Sequence, residues 1–350
     1  MSKGTREPGA RRKRGARFIE IAAEAGVSEA TVNRVLNERG SVSDSARERV
    51  IAAARRLDVR RVLPDARHGL IHIDVLLSHG DTPFFRRLDA ALQRSAQMLD
   101  KRIVLHRLIV PESDSSVVET LSRNRYKRSG LIVTARDTTP IRDALAAVIE
   151  RGEPVITLMT DIAGIARLHF AGIDNVCAGS TAGYFMRRLV KGDGRVLKLC
   201  GSQSFGVHRD RMSGFCRALE PAGLALEYQT PEIETQDSAD ACYRAVSRAL
   251  KQGRLVGIYN SGYGSAGIEA ALKEFDASGK VVWIGHEMLD EHRAYIEDEA
   301  LDLVIDQDPD AQVISALQHM LYAIGLLGDA PPGGPVQFGV FCQANLPAAG

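Results

Sequence analysis

The residues whose types and spacing could do chemistry fall in two places. Gly262, Gly264 and Gly267 form a literal G-x-G-x-x-G between an apolar run and a helical pattern, and Glu287 comes about 20 residues later. Such a turn lets backbone N–H groups approach a pyrophosphate while a carboxylate takes a ribose hydroxyl, so one reading is an oxidoreductase that uses NAD. Against it stands the motif's position deep in the chain, because dinucleotide domains usually open with theirs. The second place is Phe18 to Leu57, FIEIAAEAGVSEATVNRVLNERGSVSDSARERVIAAARRL, where cap and turn residues punctuate a segment crowded with arginine. That pattern suits a helix-turn-helix reader of DNA. Other chemistries lack their spacing. His286-Glu287 is followed by His292, which misses H-E-x-x-H, and there is no G-x-S-x-G elbow or P-loop. The nine histidines show no metal-ligand spacing.

The elements that must position the second set are three short helices. Phe18, Ile21, Ala22 and Ala25 recur at helical spacing, and Gly26 stops that helix. Ser28 caps a second, with the apolar face Val32, Val35 and Leu36. Ser43 caps a third, with the stripe Ala46, Val50, Ala53 and Leu57. None is long enough to stand alone in water, so the three must pack on one another. With its N-terminal side chains outward, the second helix can enter the major groove.

Charge supports the division. Residues 1–67 hold 16 Lys/Arg against 9 Asp/Glu, while the remainder holds 29 against 35. A basic head on an acidic body implies that only the head meets a polyanion. The five cysteines are scattered without a pairing pattern and read as reduced thiols. No apolar run approaches the ~20 residues of a membrane span. The basic N-terminus has no apolar stretch behind it, which predicts a cytoplasmic protein without a signal peptide.

From Leu70 onward, apolar runs alternate with helical patterns. IHIDVLL, RIVLHRLIV, GLIVTA, PVITLM, RVLKLC, RLVGIY, KVVWIG and DLVIDQ read as strands. Helix-like segments such as 85–99, 142–151, 178–190, 239–250 and 312–326 lie between them. This alternation predicts parallel sheets wrapped by helices, with ligands at the carboxyl ends of strands.

The run IAAEAGVSEATVNRVLN, followed by VSDSARERV, resembles the DNA-binding head of the LacI/GalR family of bacterial transcription regulators over about forty residues. The resemblance implies that Glu29, Ala30 and Arg34 read bases. It places Ser28, Thr31, Asn37 and Ser41 where the family contacts phosphates or stabilises the turn. Arg34 can fork onto a guanine edge, worth about 1–3 kcal/mol of discrimination, whereas Glu29 can only accept, for instance from a cytosine amino group. The bland alternative for Arg34 is a surface pair with Glu38, worth only ~0.3–0.5 kcal/mol. Two positions depart from the family pattern. Asn33 stands where the family usually has serine, and is long enough to reach a base or a phosphate. The connection VRRVLPDARHGL is shorter than the usual hinge helix and carries Pro64, which leaves Leu63 as its one candidate for a minor-groove wedge. Arg60, Arg61, Arg67 and His68 are placed to follow the phosphates instead.

The resemblance extends over the body and implies two lobes like a periplasmic sugar-binding protein, linked by three crossovers. TPFF, ending in Phe84 and Phe85, is similar to an aromatic pair that stacks on a sugar. HRDRMSGF puts Arg211 where the family binds sugar hydroxyls. Asn260 ends a strand at another ligand position, Glu287 follows Gly285-His286 where aspartate is usual, and Gln307 in IDQDP matches a closing glutamine. Met159 stands near a usual aspartate, with Asp161 as the nearby substitute. Asn260 and Glu287 thereby acquire an explanation other than a dinucleotide.

The expectation is therefore an α/β chain in four parts. A basic tail covers residues 1–16, a small all-α helix-turn-helix domain 17–58 and a hinge 59–69. A two-lobed, type I periplasmic-binding-protein-like domain with parallel sheets flanked by helices covers 70–350. The expected function is a homodimeric repressor on a pseudo-palindromic double-stranded DNA operator, controlled by a small sugar or polyol, with no cofactor, metal or catalysis. The stretch from Gly328 to Gly334 and the last strand carry no heptads, which argues against a coiled-coil tetramer. A free-standing sugar binder is the third reading, opposed by the head.

Overall fold

Three amphipathic stripes in the first 57 residues fold as their spacing requires. The computed structural model describes residues 18–37, 39, 41–57, 59, 70–78, 82–123, 126–220, 226–227 and 231–347. The chain divides into two compact units, Met1–Leu70 and Ile71–Gly350. In the first, α1 (Phe18–Ala25), α2 (Glu29–Leu36) and α3 (Asp44–Arg56) enclose a small core. Ile21, Val32, Val35, Val50 and Ala53 are each wholly buried in it. Gly26 turns the chain at φ +64°, in the left-handed region where a side chain is costly. The Ser28 and Ser43 hydroxyls accept from the N–H of Thr31 and Ala46, satisfying otherwise orphaned helix donors. The tail at 1–16, the hinge from residue 60 with Leu63 and Pro64, and Glu38 lie outside the described residues.

The second unit follows the alternation of the sequence. In chain order it contains β1 (Ile71–Ser78), α4 (Pro83–Met98), β2 (Ile103–Val110), α5 (Asp114–Ser122), β3 (Gly130–Thr134), α6 (Thr139–Glu150), β4 (Val155–Leu158) and β5 (His169–Ala171). Next come α7 (Asn175–Leu189), β6 (Gly194–Cys200), α8 (Gly206–Leu219), β7 (Leu226–Glu227), β8 (Ile233–Glu234), α9 (Ala239–Lys251), β9 (Leu255–Asn260), α10 (Ser265–Glu274), β10 (Val282–His286), α11 (Asp290–Glu297) and β11 (Leu303–Asp306). The chain ends with α12 (Pro309–Ala323) and β12 (Gly339–Phe341).

One lobe is built on the parallel sheet β2-β1-β3-β4-β5, the other on the sheet β12-β11-β10-β9-β6-β7, with β8 also pairing β6. β1 and β3 are almost entirely buried, as parallel strands covered on both faces must be. The edge strand β2 is only half-buried. The chain passes to the second lobe after β5 and returns with α12, whose Val313, Ala316 and Met320 pack in the first lobe's core. It passes back with β12, antiparallel to β11. The lobes are therefore joined three times. Phe205 and Val207, at the start of α8, join the first lobe's core beside Phe84, Phe85 and Met159. Among the described residues no helix is long and apolar enough to cross a membrane.

Candidate functional site

On the head, α2, its two caps and the connection to α3 carry the residues that the sequence singles out, except Leu63, which lies outside the described residues. Ser28, Glu29, Ala30, Asn33, Arg34, Asn37 and Ser41 are exposed, and Thr31 is half-buried. The Ser28 hydroxyl lies 2.9 Å from that of Thr31. The Asn37 amide donates to the Asn33 carbonyl at 3.1 Å and to the Asn33 side-chain oxygen. Asn33 is thus held by its neighbour one turn on, and the first turn of α2 is left to Glu29 and Ala30, with Arg34 one turn beyond.

In the body, the carboxyl ends of strands meet around a cavity of about 160 Å³ between the lobes. Phe84 and Phe85, at the start of α4, form one wall with ring centroids 5.5 Å apart at 72°, an edge-to-face pair. Arg211 reaches the cavity from α8. Its Nε donates to Asn175 Oδ1 at 3.0 Å and its Nη1 to the Ser261 carbonyl at 2.9 Å, while Nη2 is buried without a partner. Glu287 follows β10 in a left-handed conformation, φ 73°. Its carboxyl accepts from Gln307 Nε2 at 2.6 Å and from Arg87 Nη1 at 3.3 Å. Burial, reinforced by Asp306, pushes it up to about 8. Asp306 goes the other way: burial opposes its ionisation, but the hydrogen bond and charge of Arg87, at 2.6 Å, outweigh it.

Phe84, Phe85, Arg211, Glu287 and Gln307 therefore line one cavity, but two sequence candidates do not. Asn260 is wholly buried. Its Oδ1 accepts from Gly262 N at 3.1 Å and its Nδ2 donates to the Tyr263 carbonyl at 3.3 Å. It builds the turn that presents Gly262 and Tyr263 to the cleft, and lies behind the cavity lining itself. Asp161 accepts from Thr157 Oγ1, Ile162 N and both Nε and Nη2 of Arg167. It lines a separate depression with Arg167 and His169, so it does not replace the aspartate missing at Met159.

The cavity also uses residues that sequence reasoning passed over. His208 Nδ1 lies 3.1 Å from Ser261 Oγ, and burial pushes its pKa down to about 3, so the ring is neutral. His286 Nε2 lies 2.9 Å from the Tyr259 hydroxyl, and its Nδ1 is buried without a partner. Asp237 accepts from Tyr263 N at 2.7 Å. Glu112, Phe205 and Tyr263 complete much of the remaining lining. A weak signal existed for Asp237: Gly201 and Gly262 leave room for its carboxylate, since a Cβ at either would meet Asp237 Oδ1 at 2.6 or 2.7 Å.

The glycine fingerprint has a packing explanation. A Cβ on Gly267 would lie 1.8 Å from the Ala239 carbonyl, so this glycine lets α10 approach α9. Gly264 starts α10 at φ 99°. The amides that would cradle a pyrophosphate are committed, Gly262 N to Asn260 and Tyr263 N to Asp237, and the Asp237 carboxylate would repel a phosphate.

Comparison with known proteins agrees with this division of labour. Residues 73–326 match the model of the periplasmic binding protein domain, and residues 18–60 that of bacterial regulatory proteins of the lacI family. The chain belongs to the lacI family. It joins a lacI-type head to a periplasmic-binding-protein body, and is by family a DNA-binding regulator of transcription. It is 26% identical over 282 residues to the HTH-type transcriptional regulator GalR of Escherichia coli (strain K12), covering 76% of this chain and 78% of that protein. To the HTH-type transcriptional repressor PurR of Erwinia tasmaniensis it is 25% identical over 243 residues, 67% of this chain and 68% of the other. Among solved structures, a glucose-galactose binding protein from Geobacillus stearothermophilus, GanP, superposes with a TM-score of 0.72 at 20% identity, over 80% of this chain and all of that one. A solute-binding protein from Burkholderia graminis in complex with D-arabinose gives 0.71 at 19%, over 79% and 96%. These relatives are transcription regulators and sugar-binding proteins, not enzymes.

Proposed function

We propose that this lacI-family chain is a cytoplasmic repressor that reads a pseudo-palindromic operator as a homodimer and responds to a small sugar or polyol held between the lobes of its body. The observation that carries the effector half is Arg211 Nη2, a buried cationic donor without a partner, at a cavity walled by phenylalanine rings, carboxyls and an amide. A buried donor left unmade costs free energy, and a hydroxyl oxygen of a bound polyol would satisfy it. The rings suit the apolar face of a sugar, and the hydrogen-bonding groups its hydroxyls. GanP, of like fold, is a glucose-galactose binding protein.

In this reading Glu29, Ala30 and Arg34 read base edges, while Ser28, Thr31, Asn33, Asn37 and Ser41 meet phosphates. One recognition helix serves each operator half-site. Effector and operator affinities are coupled, and the coupling is reciprocal. The dinucleotide alternative loses its support with the committed amides of the glycine turn.

The test uses the full chain on DNA selected from a random pool, with a panel of sugars and polyols added. Arg34→Ala is expected to bring selected and scrambled DNA to within about threefold of each other without lowering the melting temperature; unchanged discrimination would remove Arg34 from the base readers. Arg211→Ala is expected to keep operator binding and lose the response to whichever panel member acts on the unaltered protein. A normal response in that variant would sink the cleft assignment.

A further inference from the structure

We propose that the effector carries an ammonium group besides its hydroxyls, as an amino sugar or aminopolyol does, and that this group sits between Asp237 of one lobe and Glu112 of the other. The proposal rests on the polyol reading of the cleft and narrows it. Of the three carboxyl groups that line the cavity, Glu287 keeps its proton up to about 8, which leaves Glu112 and Asp237 against the single guanidinium of Arg211. The two histidines in the lining do not redress the balance, because burial keeps His208 and His286 neutral. Arg87 is committed to Asp306 through both its Nη atoms, at 2.6 and 3.1 Å. Arg136, the cation nearest Glu112 in charge terms, is held by Asp114 at 2.7 Å. The cleft is therefore acidic.

Asp237 is held in place at a cost. It and Gln236 are both left-handed, at φ 55° and 49°, and the glycines at 201 and 262 clear space for its carboxylate. Glu112 follows β2 in the first lobe and is exposed at the mouth, whereas Asp237 follows β8 in the second. Closure of the lobes brings these like charges to one cavity: burial raises the pKa of Glu112, Arg136 pulls it back, and Asp237 adds a smaller push upward. A cation between them removes that repulsion and ties the lobes together. The independent sign that a ligand completes this site is a pair of polar atoms without partners, Arg211 Nη2 and His286 Nδ1, in lining residues 3% and 2% exposed. They supply hydrogen-bonding groups for hydroxyls, leaving the ammonium to the carboxylates. A sugar acid would add a third anion to the same space.

Calorimetry on the full chain at pH 6.5 tests this with matched probes: the neutral hexose, the amino-deoxy hexose and the hexuronate of the gluco, galacto and manno series. In the series that binds best, the amine is expected at least about tenfold tighter than the neutral sugar, with the acid weakest. Asp237→Asn is expected to shrink the amine-to-neutral ratio to within about threefold. Glu112→Gln, at the exposed mouth, is expected to shrink it in part and serves if the first variant does not fold. A neutral sugar that binds as tightly as its amine, or an acid that binds tightest, overturns the ammonium assignment while leaving the polyol reading intact. Silence from all nine probes overturns both.

Discussion

Glu287 keeps its proton up to about 8 because burial and the neighbouring Asp306 outweigh the pull of Arg211, Arg87 and Gln307. In the unfolded chain the same carboxyl ionises near its ordinary 4.5. Between those values the folded state holds the extra proton, so this residue makes stability fall as pH rises. Buried histidines act in the opposite sense below 6.5, since His208 is pushed down to about 3, His169 to about 4 and His292 to about 4. Above 6.5 the histidines still add some stability as the unfolded chain finishes losing their protons, so Glu287 is isolated by comparison with Glu287→Gln. Thermal melts from pH 6.5 to 8 are expected to show the unaltered chain losing about 2 kcal/mol, a few degrees, relative to Glu287→Gln. Parallel slopes for the two proteins would assign Glu287 an ordinary ionisation. At this scale the sequence made the cleft legible where a side chain ends a strand or opens a helix, as Phe84, Arg211 and Gln307 do. It misled at Asp161 and Asn260, whose polar atoms are consumed within a few residues by Arg167 and by the 260–263 turn. His208, Asp237 and His286 were passed over because only the packing of separate loops brings them to one cavity.

The elements carry their own constraint, which is how closely α7 and α8 approach. A Cβ on Gly179 would lie 1.9 Å from the Arg211 carbonyl, and one on Gly214 would lie 2.0 Å from that of Val176. Both obstacles are backbone, so neither helix can yield by turning a side chain. The crossing also sets the site, because the Arg211 side chain reaches back to Asn175 at the start of α7. Gly179→Ala is expected to destabilise the body by about 1–3 kcal/mol and to weaken effector binding by displacing Arg211. Gly285→Ala, where a Cβ meets nothing nearer than 3.8 Å, is the comparison and is expected to do much less. Equal effects of the two on melting temperature and affinity would deny the crossing this role. The long strands were readable as apolar runs, since burial on both faces leaves little room for polar residues. β5, β7, β8 and β12, two or three residues each, leave no run to read. The glycine fingerprint is the same phenomenon at α9 and α10, a close helix approach written in a motif that also serves nucleotides.

For the body as a whole, the question is what holds the lobes closed. Among the described residues, polar ties between them include Arg87 to Asp306 and Glu287, Arg209 to Asp137 at 3.1 Å, and Asp137 N to the Ser204 carbonyl at 3.1 Å. The first is the most consequential, because Asp306 and Glu287 are 7% exposed each and lose their shared cation if Arg87 is removed. An ion pair broken from one side leaves the other charge buried and unpaired; with the arginine side chain about a third exposed, a loss of about 2 kcal/mol from closure is the reasonable scale. That is enough to change the ratio of closed to open lobes by more than tenfold. A ligand can restore closure only through its greater affinity for the closed form, so effector affinity must fall as the closed population falls. Arg87→Ala is accordingly expected to enlarge the radius of gyration of the isolated body in small-angle scattering and to weaken the effector about tenfold, with saturating effector returning the radius to that of the unaltered protein. An unchanged radius together with unchanged affinity would move the control of closure to Asp137 and its two partners.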